Sequence, residues 1–308
     1  MSIESPVIET NGLKRRYGKI EAVNGLDLTV RAGRCYGFFG RNGAGKTTTI
    51  KCLLNLLRPQ SGSVRVFGLD PRKNEVEVKS RLAYVPDAVA FYPWMTVREV
   101  LNYFASFRRH WNPRTERELL QRFGLDPGKQ TASLSKGQKT QLALVAAICP
   151  EPELLILDEP TNGLDAHGRK RMLEIIREIR DSQDTQIILC SHLLRDVEEC
   201  CDEVMILKEG KLVTHCNLEA ERRTNRKFIQ MEAHGETGTF LTRVEQLGCE
   251  LAVNGSRKLK MILPEAVEVK DLYRIASETG VQIRRLDFKR DSLQDIFLKA
   301  METPNGRS

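Results

Sequence analysis

Residues 40–47 read GRNGAGKT, and few octapeptides restrict a chain as much. They fit G-x-x-x-x-G-K-[ST], a pattern that carries meaning only between a strand and a helix. Both neighbours are predicted here. Residues 34–39 form a short apolar run, as expected of a strand buried on both faces, and residues after Lys46 read as a helix that ends before Pro59. Gly40, Gly43 and Gly45 let the backbone curl so that successive N–H groups point at one anion. The helix N-terminus adds partial positive charge. Lys46 suits the β and γ phosphates of a nucleotide as a point charge, and the Thr47 hydroxyl suits Mg²⁺. Asn42, Ala44 and Thr48 offer further backbone or hydroxyl donors.

The rest of the first two thirds supplies a sheet for that loop. Residues 3–39 read as strands and turns, and short strands are predicted at 64–67, 82–85, 154–158 and 186–191. Helical spacing covers 96 to about 123, interrupted by Asn112-Pro113, and further helices are expected at 136–148, 167–180 and 193–200. Residues 204–213 read as a hairpin turning at Glu209-Gly210. Apolar strands alternating with helices predict an α/β domain whose mostly parallel sheet is covered on both faces.

Two strand ends carry chemistry. LLILDEP, at 154–160, closes an apolar strand with two carboxylates. Asp158 suits the Mg²⁺ shell, and Glu159 suits a general base that orients water toward a γ-phosphate. His192 follows QIILCS at the end of another predicted parallel strand, the edge where ligands collect in open α/β sheets. It is read as a γ-phosphate contact. SLSKGQKTQ, at 133–141, is a second corner of phosphate-binding character with no role for the first loop that its residues alone reveal.

In order and spacing, Tyr17, GRNGAGKTT, LSKGQ, LLILDEPTNGLD and Ser191-His192 resemble the ATP-binding subunit of an ABC transporter. The resemblance covers about residues 3–215. It implies a P-loop NTPase fold of the ABC ATPase type, with ATP and Mg²⁺ as cofactors. It implies a homodimer packed head to tail around two Mg-ATP, in which each copy's second corner completes its partner's site. Ser135, Lys136, Gly137 and Gln138 would then meet the γ-phosphate of ATP held by the other copy's Lys46, with Asp165 at the boundary between copies. Tyr17 would stack on adenine. It also implies a separate polytopic membrane subunit, which would hold this chain at the cytoplasmic face of the cell membrane.

Two positions depart from the family pattern. Lys136 stands where the second glycine of LSGGQ is usual, and either a cation aimed at the γ-phosphate or a solvent-facing side chain fits it. Asp87 stands where the family has Gln, in a loop that touches Mg²⁺, so the metal role carries over to a shorter, charged side chain. FYPWMTVREVL, at 91–101, and SLQDIF, at 292–297, resemble the subclass linked to export of drugs and antibiotics. In that reading Phe91, Tyr92 and Trp94 help form a pocket for a helix of the membrane subunit.

The polar segment 217–226 reads as a linker. Beyond it, strand 227–233, helix 237–247, strands 249–254 and 258–263, helix 267–278 and strand 281–288 spell β-α-β-β-α-β. That predicts a small α+β domain over 227–302, split βαβ or ferredoxin-like, either dimer-stabilising or regulatory. A further helix is expected at 292–301 and a disordered tail at 303–308. The net charge of +7, from 48 basic and 41 acidic residues, argues for no nucleic-acid partner. Eight scattered cysteines without paired CxxC spacing read as reduced thiols, mostly core. No secretory h-region is evident at the N-terminus, and the longest apolar run, 142–149, is far short of a membrane helix. The alternative function is a soluble ATPase of the same type with no membrane partner.

Overall fold

The computed structural model describes residues 6–182, 185–218, 220, 228–235, 237–254, 258–264 and 267–288. The chain divides into two compact units between Cys216 and Asn217.

The first unit is built on two sheets. β1 (Ile8–Tyr17), β2 (Ile20–Val30) and β4 (Ser61–Val66) make an antiparallel sheet in the order β2-β1-β4. The main sheet has the order β5-β6-β7-β3-β8-β9. Its members are β3 (Cys35–Phe39), β5 (Leu82–Val85), β6 (Leu154–Asp158), β7 (Gln186–Ser191), β8 (Glu203–Lys208) and β9 (Lys211–Asn217). The pairs β5/β6, β6/β7, β7/β3 and β3/β8 are all parallel. Every residue of β3, β6 and β7 is buried, which is why these strands read as unbroken apolar runs rather than alternating ones.

The helices start and stop where their caps dictate. α1 (Lys46–Leu53) follows the glycine loop. It ends early because Asn55 turns left-handed (φ 55) and the N–H of Leu56 closes back on the Lys51 carbonyl, a Schellman-type stop. The helical pattern of 96 to 123 resolves into α3 (Val97–Ala105), opened by a Thr96/Glu99 capping box, and α4 (Pro113–Phe123). In α4, Asn112 caps, Pro113 occupies the first position and Gly124 ends the helix at φ 63. α2 (Glu75–Arg81) was not expected from the sequence: Val78 is its one buried residue, so it carries no apolar periodicity. α5 (Lys136–Ile148), α6 (Ala166–Ser182) and α7 (Leu194–Cys200) complete the unit. The β8–β9 hairpin turns at Glu209 (φ 50) and Gly210 (φ 75), the paired positive φ values of a tight hairpin. All eight cysteines are free thiols, seven of them buried.

In the second unit β10 (Phe228–His234), α8 (Gly238–Gln246), β11 (Glu250–Asn254), β12 (Lys258–Ile262), α9 (Val269–Glu278) and β13 (Gln282–Phe288) follow in turn. Their sheet runs β11-β12-β10-β13, with every pair antiparallel. This is the order a split βαβ unit produces: the first helix carries the chain across the position that β12 fills later, and the second carries it across β10, already in place. Phe240, Val244, Leu272, Met231 and Ile229 form its own core. β9 runs one residue into the predicted linker. Most of that linker, the predicted helix 292–301, the SLQDIF stretch and the 303–308 tail lie outside the described residues.

Candidate active site

Register brings four strand ends to one edge. Val85 of β5 stands beside Leu157 of β6, Asp158 beside Cys190 of β7, and Ser191 beside Phe39 of β3. The loops after all four strands therefore open on the same side, at the carboxyl edge of the sheet.

The loop after β3 is fixed by close backbone approach. A Cβ on Gly40 would stand 2.6 Å from the Leu207 carbonyl oxygen, and one on Gly45 would stand 2.3 Å from that of Ala22. Gly45 also sits at φ 103. The Gly210 N–H donates to the Ala44 carbonyl at 3.1 Å and so ties the β8–β9 turn to the loop. Gly45→Ala is accordingly expected to shift the loop or strain it, at a cost of roughly 1–3 kcal/mol in urea unfolding, and to abolish nucleotide binding. Wild-type stability with retained nucleotide binding would contradict that account.

Lys46 is 6% exposed. Its Nζ donates to the Gly40 carbonyl at 2.7 Å and lies 3.4 Å from Glu159 Oε1. Thr47 Oγ1 donates to Asp158 Oδ2 at 2.8 Å. Asp158 is 1% exposed, and its Oδ1 is buried without a hydrogen-bond partner among the described residues. Burial raises the Asp158 pKa. The Thr47 hydrogen bond and the Lys46 charge oppose that rise, while Glu159 and Asp87 reinforce it. Tyr84, not singled out by its sequence, places its hydroxyl 3.5 Å from Asp158 Oδ2. Burial, then the Asp158 charge, drive the tyrosine pKa up.

An orphaned buried carboxylate oxygen beside a hydroxyl fits Mg²⁺, a hard cation held by one or two protein oxygens together with phosphates. No cluster of three or more His, Cys, Asp or Glu able to form an all-protein metal cage exists among the described residues.

Glu159 sits at φ 53, left-handed for a residue with a side chain. Its N–H donates to the Cys190 carbonyl at 2.8 Å. Its Oε2 accepts the His192 N–H at 3.2 Å and lies 2.7 Å from His192 Nδ1. Lys46, Thr47, Asp158, Glu159 and His192 thus form one connected set.

The other candidates lie in separate places. Ser135 and Gln138 cap α5 reciprocally: the Ser135 hydroxyl accepts the Gln138 N–H, and Gln138 Oε1 accepts the Ser135 N–H, each at 3.1 Å. Gly137 is buried against Leu164, whose Cδ2 would be 2.5 Å from a Cβ there. Asp165 accepts the Gly168 N–H at 2.7 Å and so opens α6, a capping role that an Asp before a helical pattern signals. Asn42 is exposed on the loop, Ala44 is buried and Thr48 is half-buried. Tyr17 is 44% exposed at the end of β1, with the Arg15 guanidinium 5.0 Å over its ring. Asp87 Oδ1 accepts from Asn162 Nδ2 at 2.9 Å and lies 3.6 Å from Lys136 Nζ. One buried network carried no signal that was read: Asp196 is fully buried and accepts from Thr161 and Arg169, joining the loop after Glu159 to α7.

The family model described as ABC transporter matches residues 23–162. The chain is 33% identical to the bacitracin transport ATP-binding protein BcrA of Bacillus licheniformis, over 96% of this chain and 97% of that protein. It is 30% identical to the daunorubicin resistance ATP-binding protein DrrA3 of Streptomyces coeruleorubidus, over 94% of each. A solved structure of an ATP-binding subunit of an ABC transporter superposes with a TM-score of 0.64 at 30% identity, over 70% of this chain and 92% of the other. With the glycine loop, the paired carboxylates and His192 gathered at one sheet edge, and likeness along nearly its whole length, the chain belongs to the ATP-binding, ATP-hydrolysing proteins of ABC transporters.

Proposed function

We propose that the chain hydrolyses Mg-ATP at the edge formed by the loops after β3, β6 and β7, as a head-to-tail dimer that drives a separate membrane exporter. The observation that carries this reading is the Glu159 carboxylate, held between Lys46 Nζ at 3.4 Å and His192 Nδ1 at 2.7 Å. Gly40, Gly43 and Gly45 shape the loop that receives the phosphates. Lys46, freed from the Gly40 carbonyl, neutralises their β and γ oxygens. Glu159 accepts the proton of the attacking water, and His192 fixes the carboxylate and faces the γ-phosphate. Thr47 and Asp158 would hold Mg²⁺, which when bound spreads the charge that develops on the phosphates. Asn42, Ala44 and Thr48 add donors, and Tyr17 stacks on adenine.

The second corner belongs to the partner copy's site. Ser135 and Lys136 are exposed at the capped helix start, Gln138 is half-buried, and Gly137 is buried against Leu164, the residue before Asp165. An aromatic groove suits the membrane subunit as well. Phe91, Tyr92, Met95, Tyr103 and Phe104 line a cavity of about 300 Å³. Trp94, stacked on Tyr92, is 68% exposed at its rim, and Phe107 is 70% exposed. A helix of the membrane subunit laid into that groove would cover these rings. No helix among the described residues is long and apolar enough to cross a membrane. The relatives named for bacitracin transport and daunorubicin resistance support an amphipathic export substrate.

The test is light scattering on Glu159→Gln with and without Mg-ATP. A dimer that forms only with Mg-ATP is the expected result. A dimer in both conditions would instead make the second unit a standing dimer contact. A monomer in both would overturn the head-to-tail reading for the isolated chain.

A further inference from the structure

Lys136 is the first residue of α5, where the helix presents its positive end and a cation is disfavoured. No acidic residue in the first turn of α5 offsets it. Its counter-charge comes from another loop: Nζ lies 3.6 Å from Asp87 Oδ1, on the segment after β5. The same Asp87 oxygen accepts from Asn162 Nδ2 at 2.9 Å. The Lys136 stem crosses Gly163, where a Cβ would stand 3.1 Å from Lys136 Cδ. The Asn162 N–H in turn donates to the Glu159 carbonyl at 3.0 Å. The loops after β5 and β6 and the start of α5 therefore meet at one pair of charges, joined through Asn162, three residues after the proposed general base.

Stability does not explain this pair. Lys136 and Asp87 are 55% and 45% exposed, and isolated pairs of that kind add little to a fold. The value lies in what the contact does to Lys136. At 3.6 Å the contact is an ion pair beyond hydrogen-bond distance, so all three donors of the ammonium remain for another anion. A lysine stem has much rotamer freedom, and a side chain already fixed loses less of it on meeting a ligand.

We propose that Asp87 is a positioning residue for Lys136: it holds the ammonium over the start of α5, ready for the phosphates of a nucleotide bound by a second copy. Asp87 then acts on ATP-dependent closure through Lys136 rather than as a metal ligand of its own site. This inference rests on the head-to-tail reading above.

A double-mutant cycle tests it in the Glu159→Gln protein, reading the dimer Kd in saturating Mg-ATP. Asp87→Asn keeps an acceptor oxygen for Asn162, and Lys136→Met keeps the stem across Gly163. Asp87→Asn alone is expected to weaken the dimer about fivefold, and to have less than about a twofold effect once Lys136 is Met. Raising salt to about 1 M, where the Debye length is about 3 Å, should remove the difference. The thermal midpoint without nucleotide should show no such coupling. An equal effect of Asp87→Asn with either residue at 136 would return Asp87 to a direct metal role and overturn the inference. Tighter dimerisation of Asp87→Asn would make the contact a brake instead, and coupling already present in the nucleotide-free midpoint would make it structural. A Glu159→Gln parent that stays monomeric in Mg-ATP overturns the head-to-tail reading and this inference together; a parent that dimerises without coupling overturns this inference alone.

Discussion

Glu159→Gln is expected to lower ATP turnover by about 10²–10⁴-fold with little change in nucleotide affinity. The substitution preserves the side chain's size and leaves an acceptor oxygen for His192, whose ring and backbone N–H both meet Oε2. It removes the capacity to take a proton, together with the charge that faces Lys46 Nζ at 3.4 Å. The backbone is unaffected, because the φ of 53 at this position is set by the N–H bond to the Cys190 carbonyl, which glutamine also makes. A group that acts only in the transition state lowers kcat and kcat/KM together, and steady-state kinetics should show that pattern. A rise in KM at constant kcat would make Glu159 a binding group. Unchanged turnover would remove it from the mechanism and leave His192 as the remaining proton acceptor at this edge.

The site was legible in the sequence wherever one residue type at one spacing has a single physical use. Three glycines before Lys-Thr can do little else after a buried strand, and the structure gives two of them backbone neighbours that would collide with any Cβ. Asp158 and Glu159 announce themselves by following four apolar residues. Tyr84 does not: it lies in a four-residue strand, and only the parallel pairing of β5 with β6 brings its hydroxyl to Asp158. The Asp196 network is hidden for the same reason, since Thr161, Arg169 and Asp196 are joined by tertiary packing of α6 and α7 rather than by sequence proximity. α2 was missed because a helix with one buried residue has no apolar stripe to read. Lys136 and Asp87 were visible as two separate oddities, 49 positions apart in the numbering, and became one contact only when three loops were placed together.

Asp158→Asn is expected to lose turnover by at least about 10²-fold and yet to make the nucleotide-free protein more stable. Asp158 Oδ1 is buried without a hydrogen-bond partner among the described residues. Burial raises the Asp158 pKa above its ordinary 3.8. A group whose folded pKa is raised stabilises the fold fully below the unfolded pKa, and that contribution is lost as pH rises through the folded value. At neutral pH the ionised carboxylate is therefore a burden on the empty site. Asparagine keeps an oxygen for the Thr47 hydroxyl and carries no charge to desolvate. Relief of about 1–3 kcal/mol corresponds to a thermal midpoint higher by about 2–12 °C for a unit of this size. Mg-ATP reverses the ranking. At 100 times its Kd a ligand adds about 2.7 kcal/mol to the protein that binds it, and Asp158→Asn should keep little of the magnesium-dependent part. Lowering the pH toward 4 should narrow the gap between the two empty proteins, because Asp158 then begins to bind the proton that neutralises it. A variant less stable than the parent at pH 7 without nucleotide would mean that the carboxylate is already satisfied, and the case for Asp158 as the waiting metal ligand would fall with it.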